Sequence, residues 1–62
     1  MFKLEIETGN AAFFDMDGNP DAGAEIARIL RRVAEAMENG SRGMQLHDAN
    51  GNHVGRARLI EG

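Results

Sequence analysis

The chain has 62 residues, of which 42% are hydrophobic, and it carries a formal net charge of −3 and no cysteine. This length predicts one compact domain over residues 1–62, and the composition excludes intrinsic disorder, disulfides and thiolate metal sites. Its apolar runs are too short for a membrane span, and its first residues do not form a signal-peptide pattern, so we expect a cytoplasmic protein. A small domain without disulfide staples often gains buried area from a partner or a second copy.

The first predicted element is a strand over residues 2–8, because apolar and polar side chains alternate there. One face holds Phe2, Leu4, Ile6 and Thr8, and the other holds Lys3, Glu5 and Glu7. A short apolar segment at residues 11–14 follows, and we expect its two phenylalanines to close one end of the core. Residues 15–21 are rich in Asp, Gly, Asn and Pro, which indicates a turn.

The middle third predicts a helix that Asn19 caps and that Pro20 begins. Its apolar stripe recurs at spacings of three and four and consists of Ile26, Ile29, Leu30, Val33 and Met37. The pair Asn39 and Gly40 predicts the end of the helix, with Gly40 in the left-handed conformation.

The last third predicts a hairpin with a type I′ turn at Asn50 and Gly51. This turn places Asp48 opposite His53 and Leu46 opposite Gly55. The inner face then contains Met44, Leu46, Ala57 and Leu59, and the outer face contains Gln45, His47, Val54, Arg56 and Arg58. His47 and His53 fall on opposite faces in this register. We expect the helix to approach the sheet closely at Gly55.

The charges of the outer faces suggest how the first strand pairs. An antiparallel register with the last strand sets Glu5 opposite Arg58, Glu7 opposite Arg56, Leu4 opposite Leu59 and Ile6 opposite Ala57. The predicted fold is therefore α+β, with β-α-β-β connectivity, a three-stranded antiparallel sheet of order 2-3-1 and one helix packed on one face.

The segment Asp15-Met16-Asp17-Gly18 resembles the nucleophile strand of the haloacid dehalogenase phosphatases, in which the first Asp attacks phosphorus. Those enzymes need Thr or Val after the glycine, and further polar groups from distant strands. Here Asn19 and Pro20 follow, and the single lysine, Lys3, belongs to the first strand. We therefore interpret Asp15 as a turn residue and expect no catalytic residue and no enzyme.

Metal binding is a second function that the pattern suggests, but the set of ligands is incomplete. Positions one, three and five of an EF-hand-like series fall on Asp15, Asp17 and Asn19, but positions six and twelve hold Pro20 and Ile26. The two histidines face opposite ways in the predicted register, and Asp48 is the only further ligand nearby. We expect no metal and no cofactor.

Two surfaces are candidates for binding a protein partner. One is the outer sheet face, made of Lys3, Glu5, Glu7, Gln45, His47, Val54, Arg56, Arg58 and Ile60. The other is an acidic cluster of Asp15, Asp17, Asp21 and Glu25, which could dock on a basic surface. The alternatives are a solvated face held by cross-strand ion pairs and acids that complement the helix dipole. Direct nucleic-acid binding is disfavoured because the net charge is negative and Trp and Tyr are absent.

The segments 4–13, 25–30 and 48–55 (LEIETGNAAF, EIARIL and DANGNHVG) resemble a type of small protein found in phages, prophages and plasmids of GC-rich bacteria. By size and fold class, such proteins are similar to anti-CRISPR and other anti-defence inhibitors. The resemblance implies a mobile-element binding module that blocks a nucleoprotein complex such as CRISPR–Cas. A structural or regulatory homodimer, paired through a sheet edge or the outer face, is the alternative.

Overall fold

A computed structural model of the chain describes residues 1–14, 17–18 and 21–61. Its elements in chain order are β1 (Phe2–Ile6), a short 3₁₀ helix (Ala11–Phe13), α1 (Ala22–Glu38), β2 (Gly43–His47) and β3 (His53–Leu59). The three strands form one antiparallel sheet in the order β1-β3-β2. The predicted α+β class, the β-α-β-β connectivity and the strand order are confirmed.

The helix ends where the sequence predicts. Gly40 has φ +93°, and its N–H donates to the carbonyl of Met37 at 3.1 Å, while the N–H of Ser41 donates to the carbonyl of Ala36 at 3.0 Å. These two bonds form a Schellman motif, which satisfies carbonyls of the last turn. The predicted cap Asn19 and first residue Pro20 lie outside the described residues. No helix in the described part of the chain is long and apolar enough to cross a membrane.

The hydrophobic core combines residues of the helices and of two strands. Its buried members are Phe13, Ile29, Val33, Leu46, Val54 and Ala57. Half-buried side chains surround them, namely Leu4, Ile6, Ala12, Ala22, Ile26, Met37 and Met44. Leu30, which the helical stripe included, is 43% exposed. The spacing of three and four therefore identified the buried side of the helix, with Leu30 at its margin.

The predicted register of β1 against β3 is wrong by two residues. Lys3 lies opposite Arg58, Leu4 opposite Ala57, Glu5 opposite Arg56 and Ile6 opposite Gly55. An even shift leaves every side chain on its predicted face, so the alternation could not detect the error. The shift also changes the charges that meet, because the predicted contact between Glu5 and Arg58 becomes one between Lys3 and Arg58.

The predicted type I′ turn is also wrong. Such a turn needs positive φ at Asn50 and Gly51, whereas of these two only Gly51 has it, at +83°. The N–H of Gly51 donates to the carbonyl of Asp48 at 3.0 Å, and that of Asp48 donates to the carbonyl of Asn52 at 2.9 Å. The loop therefore has three residues, with the glycine in the left-handed conformation at its end.

The longer loop produces a β-bulge in β3 next to the turn. Leu46 lies opposite Gly55, but His47 lies opposite His53, so Val54 is the extra residue. Val54 turns into the core and is 4% exposed, which corrects its predicted place on the outer face. The bulge also corrects the histidines, because His47 and His53 are cross-strand neighbours and do not face opposite ways.

The close approach at Gly55 involves β1 and not the helix. A Cβ atom at Gly55 would overlap the carbonyl of Glu5 and lie 3.1 Å from the Cα of Ile6. Only glycine fits here, because β1 passes directly beside the bulge.

Candidate functional site

Besides His53, the outer face of the sheet carries six exposed polar side chains from all three strands. They are Lys3 and Glu5 of β1, Gln45 and His47 of β2, and Arg56 and Arg58 of β3. Alternation along each strand places them opposite the core, as the sequence predicts for all six. Glu7 lies just beyond β1, where its N–H donates to the carbonyl of Val54 at 2.6 Å and its carboxylate accepts from Gly9 at 3.2 Å.

The centre of this face is basic although the chain is acidic overall. Lys3 lies opposite Arg58, and Arg56 has Glu5 on one side and Gln45 on the other. Arg28 forms an ion pair with Glu25, and Arg42 forms one with Glu61, whereas Glu5 and Arg56 of the described sheet do not form one with each other. The five side chains around the centre form a depression of about 120 Å³, lined by Lys3, Glu5, Arg56, Arg58 and Ile60.

The end of the face nearest the turn carries the two histidines. Their ring centroids are 5.6 Å apart in an edge-to-face arrangement, and Nε2 of His53 lies 2.6 Å from Oε1 of Gln45. Within the described residues, no group of three or more His, Asp or Glu side chains could hold a metal ion. The two histidines and Gln45 thus lie together at this end of the outer face.

The predicted acidic cluster is divided by the structure. Asp15 lies outside the described residues, whereas Asp17 and Asp21 are exposed. Glu25 is only 7% exposed, and its carboxylate is used within the chain. The structure therefore places Asp17 and Asp21 on the surface and buries most of Glu25.

Glu25 connects the helix to the hairpin. Its Oε1 accepts from Nε of Arg28 at 2.6 Å, and its Oε2 accepts from the backbone N–H of Ala49 at 2.7 Å. Nη2 of Arg28 reaches Oε2 at 3.2 Å and also donates to the carbonyl of His47 at 3.1 Å. The Arg28 hydrogen bond and then the Ala49 N–H hold the pKa of the Glu25 carboxyl below its ordinary value, although burial opposes them.

Asp48 organises the hairpin loop in a similar way. Its Oδ1 accepts the N–H groups of Asn50 and Asn52 at 2.9 and 2.8 Å, and its Oδ2 accepts the side-chain amides of Asn10 and Asn52 at 3.2 Å. Burial alone would raise the pKa of the Asp48 carboxyl, but these hydrogen bonds outweigh it and the pKa is lowered. Both carboxylates thus have donors within the chain, and we assign them to the stability of the fold.

Sequence reasoning did not find these two roles. The spacing of Glu25 and Arg28 is visible as an i,i+3 pair, but the burial of the pair depends on the hairpin loop. An Asp two residues before Asn50 is a signal for an Asx turn, which could have replaced the predicted pairing of Asp48 with His53.

Comparison of the chain with protein-family models, with curated proteins and with solved structures gives no match.

Proposed function

We propose that the protein is a binding module without enzymatic activity, and that its outer sheet face docks on an acidic surface of a protein partner. The observation that carries this proposal is the placement of Lys3 directly opposite Arg58, with Arg56 beside them. Like charges opposite one another weaken a sheet. A carboxylate from a partner would offset that repulsion, and so the partner gains binding energy at this position.

The shape of the face suits a side chain of a partner better than a small substrate. The depression between Lys3 and Ile60 has a volume of about 120 Å³, whereas small-molecule sites usually occupy roughly 300–1,000 Å³. An acidic side chain fits this volume and can accept hydrogen bonds from Arg56 or Arg58. Arg is also favoured at protein interfaces, because its planar head pairs with carboxylates in a bidentate manner.

The resemblance to mobile-element proteins supports one class of partner. We propose that the partner is a bacterial defence nucleoprotein complex, such as a CRISPR–Cas effector, and that binding blocks it sterically or electrostatically in the host cytoplasm. Asp15, Asp17 and Asp21 are a second candidate contact. Glu25 is left out of this contact because it is only 7% exposed.

The variant Arg58→Glu tests the outer face without weakening the fold. A glutamate at this position lies opposite Lys3, which turns a like-charged pair into an oppositely charged one. The same variant reverses the charge presented to a partner. The matched control is Arg31→Glu, which makes the same charge change on an exposed position of α1.

Binding of wild type and variants to purified CRISPR–Cas effector complexes is measured by biolayer interferometry, together with inhibition of target cleavage. We expect wild type and Arg31→Glu to bind and inhibit, and Arg58→Glu to bind at least tenfold more weakly. If Asp17→Asn with Asp21→Asn loses binding and Arg58→Glu keeps it, the acidic residues make the contact and the outer face does not. Binding of wild type to naked DNA or RNA with equal affinity would contradict a protein partner.

A further inference from the structure

The outer edge of β1 is open as far as the described residues are concerned. Met1 exchanges two backbone hydrogen bonds of 2.7 Å with Ile60, and the N–H of Glu7 donates to the carbonyl of Val54. In an antiparallel pair, alternate residues bond to the neighbouring strand, so Lys3 and Glu5 also face β3. The backbone N–H and C=O groups of Phe2, Leu4 and Ile6 then point to the edge, where no hydrogen bond from a described residue covers them.

The edge of β2 is partly covered by the chain itself. The N–H of Leu59 donates to the carbonyl of Arg42, so the residues of β2 that point outward are Gly43, Gln45 and His47. The carbonyl of Gly43 accepts the hydroxyl of Ser41 at 2.9 Å, and that of His47 accepts Nη2 of Arg28 at 3.1 Å. Side chains thus occupy two of the outward carbonyls of β2, which leaves β1 as the edge that can receive another strand.

The sequence of β1 is complementary to itself in antiparallel orientation. Read against its own reverse with Leu4 at the centre, Phe-Lys-Leu-Glu-Ile sets Phe2 opposite Ile6, Lys3 opposite Glu5 and Leu4 opposite Leu4. We propose that two copies of this chain pair through β1 in this register, which joins their sheets into one. The edge-facing residues then oppose one another, and each such pair exchanges both of its hydrogen bonds.

In this register, residues of opposite charge face one another on the outer face of the joined sheet. Lys3 of each copy lies opposite Glu5 of the other, in the pairs without backbone hydrogen bonds, where side chains approach most closely. Within one copy, Lys3 has Arg58 as its cross-strand neighbour. The second copy therefore supplies a carboxylate to Lys3 at the seam, whereas Arg58 stays on the outer face for the partner.

The opposite face of the joined sheet is apolar at the seam. Phe2 is 46% exposed in the single chain, whereas Leu4 and Ile6 are half-buried. Leu30 is 43% exposed on α1, and a helix of 3.6 residues per turn sets it nearly opposite Arg32. Because Arg32 shares a depression with Met44 of β2, Leu30 lies on the flank of the helix away from β2. The exposed apolar groups therefore lie on the side that a second copy would cover.

The pairing goes beyond the proposed function, because it involves the edge of β1 and a second copy, whereas a partner docks on the outer face. It would also place the basic centres of two outer faces on one continuous surface. The dimer is measured without any partner present, so its failure and the failure of the proposed function are separate results.

Charge variants test the register directly by sedimentation equilibrium of the full chain. Lys3→Glu sets Glu opposite Glu5 of the second copy, and Glu5→Lys sets Lys opposite Lys3, so each variant alone should dimerise roughly ten- to hundredfold more weakly than wild type. A mixture of the two variants restores both opposite-charge pairs and should form a heterodimer. The controls are Arg31→Glu and Glu38→Lys, which make the same charge changes on exposed positions of α1 and should dimerise as wild type does.

The fold of the variants is checked by circular dichroism. Lys3→Glu faces Arg58 within its own sheet, so it should fold at least as well as wild type while it loses the dimer. A wild type that stays monomeric at millimolar concentration would overturn the pairing. Dimers of both single variants, with no preference for the heterodimer in the mixture, would overturn the register.

Discussion

Phe13 and Phe14 are neighbours in the sequence but differ in their surroundings. Phe13 is 1% exposed and belongs to the core, whereas Phe14 is 39% exposed. Phe13→Ala should cost about 3–5 kcal/mol, which is comparable to the total stability of about 3–9 kcal/mol expected for a chain of this length. Phe14→Ala should cost less than about 1 kcal/mol. Urea denaturation of the two variants, followed by circular dichroism, measures the contrast, and equal costs would contradict the described burial.

The carboxylates of Glu25 and Asp48 predict a loss of stability in acid. Their pKa values are lowered in the folded chain, so near those values the folded state binds fewer protons than the unfolded state. The stability that they contribute is therefore present above about pH 5, where both carboxyls are ionised in either state, and is lost as the pH falls through the folded pKa values. Urea denaturation at pH 7, 5, 4 and 3 should show constant stability at the upper values and a steady decrease below them.

Glu25→Gln tests the share of this effect that Glu25 contributes. The amide is uncharged, so Arg28 loses its ionic partner and the N–H of Ala49 loses a charged acceptor. We expect a melting temperature lower by roughly 5–15 °C at pH 7, together with a smaller decrease of stability in acid. The control is Glu38→Gln, which changes an exposed carboxylate of the same helix. A variant with the full acid sensitivity of wild type would assign the effect to other groups.

At the scale of the elements, the contact between β1 and the bulge of β3 depends on Gly55. A methyl group at this position would overlap the carbonyl of Glu5, and backbone moves less easily than a side chain. Gly55→Ala should therefore destabilise the fold by about 3 kcal/mol through displacement of β1. The matched control is Gly23→Ala in α1, where the added methyl group meets no heavy atom within 4 Å apart from its chain neighbours and the nearby backbone of its own helix.

The control should stabilise the helix by up to about 1 kcal/mol. Thermal melts of both variants provide the comparison, and amide hydrogen exchange of Leu4 and Ile6 reports on β1 itself. If Gly55→Ala melts at the same temperature as wild type, the close approach of β1 to Gly55 is absent in solution.

The elements differ in how far the sequence could predict them. The helix end at Gly40 and the buried positions Ile29 and Val33 follow from local rules, because a left-handed glycine and a spacing of four need no knowledge of the rest of the fold. The burial of Val54 was missed because it depends on a bulge, which lies beside a loop in which the N–H of Asn52 donates to the side chain of Asp48. The pattern of apolar residues along the sequence predicts tertiary contacts of this kind poorly.

The same limit applies to the candidate site. Alternation alone identified the exposed positions Arg56, Arg58 and Glu5. The placement of Lys3 opposite Arg58 was not predicted. A register shift of two residues keeps each side chain on its face of the sheet and changes only which residues lie opposite one another across the strands. The observed register includes backbone bonds at the ends of β1, such as that from Glu7 to Val54, which a pattern of side chains cannot show.

At the scale of the whole molecule, the stability of the folded chain should increase when it pairs with a second copy. A 62-residue chain without disulfides buries only about 60% of the surface that its unfolded form exposes. A dimer that binds only folded chains makes the melting temperature rise with protein concentration. We expect this rise for wild type between micromolar and millimolar concentrations, as measured by differential scanning calorimetry.

Lys3→Glu should separate the two contributions to stability. Its melting temperature should not depend on concentration, because repulsion from Glu5 of the second copy removes the dimer. At the lowest concentration, where wild type is monomeric, the variant should melt at the same or a higher temperature, since its new carboxylate faces Arg58 within the sheet. A variant that is less stable than wild type at every concentration would show that Lys3 supports the single chain and not the pairing of two copies.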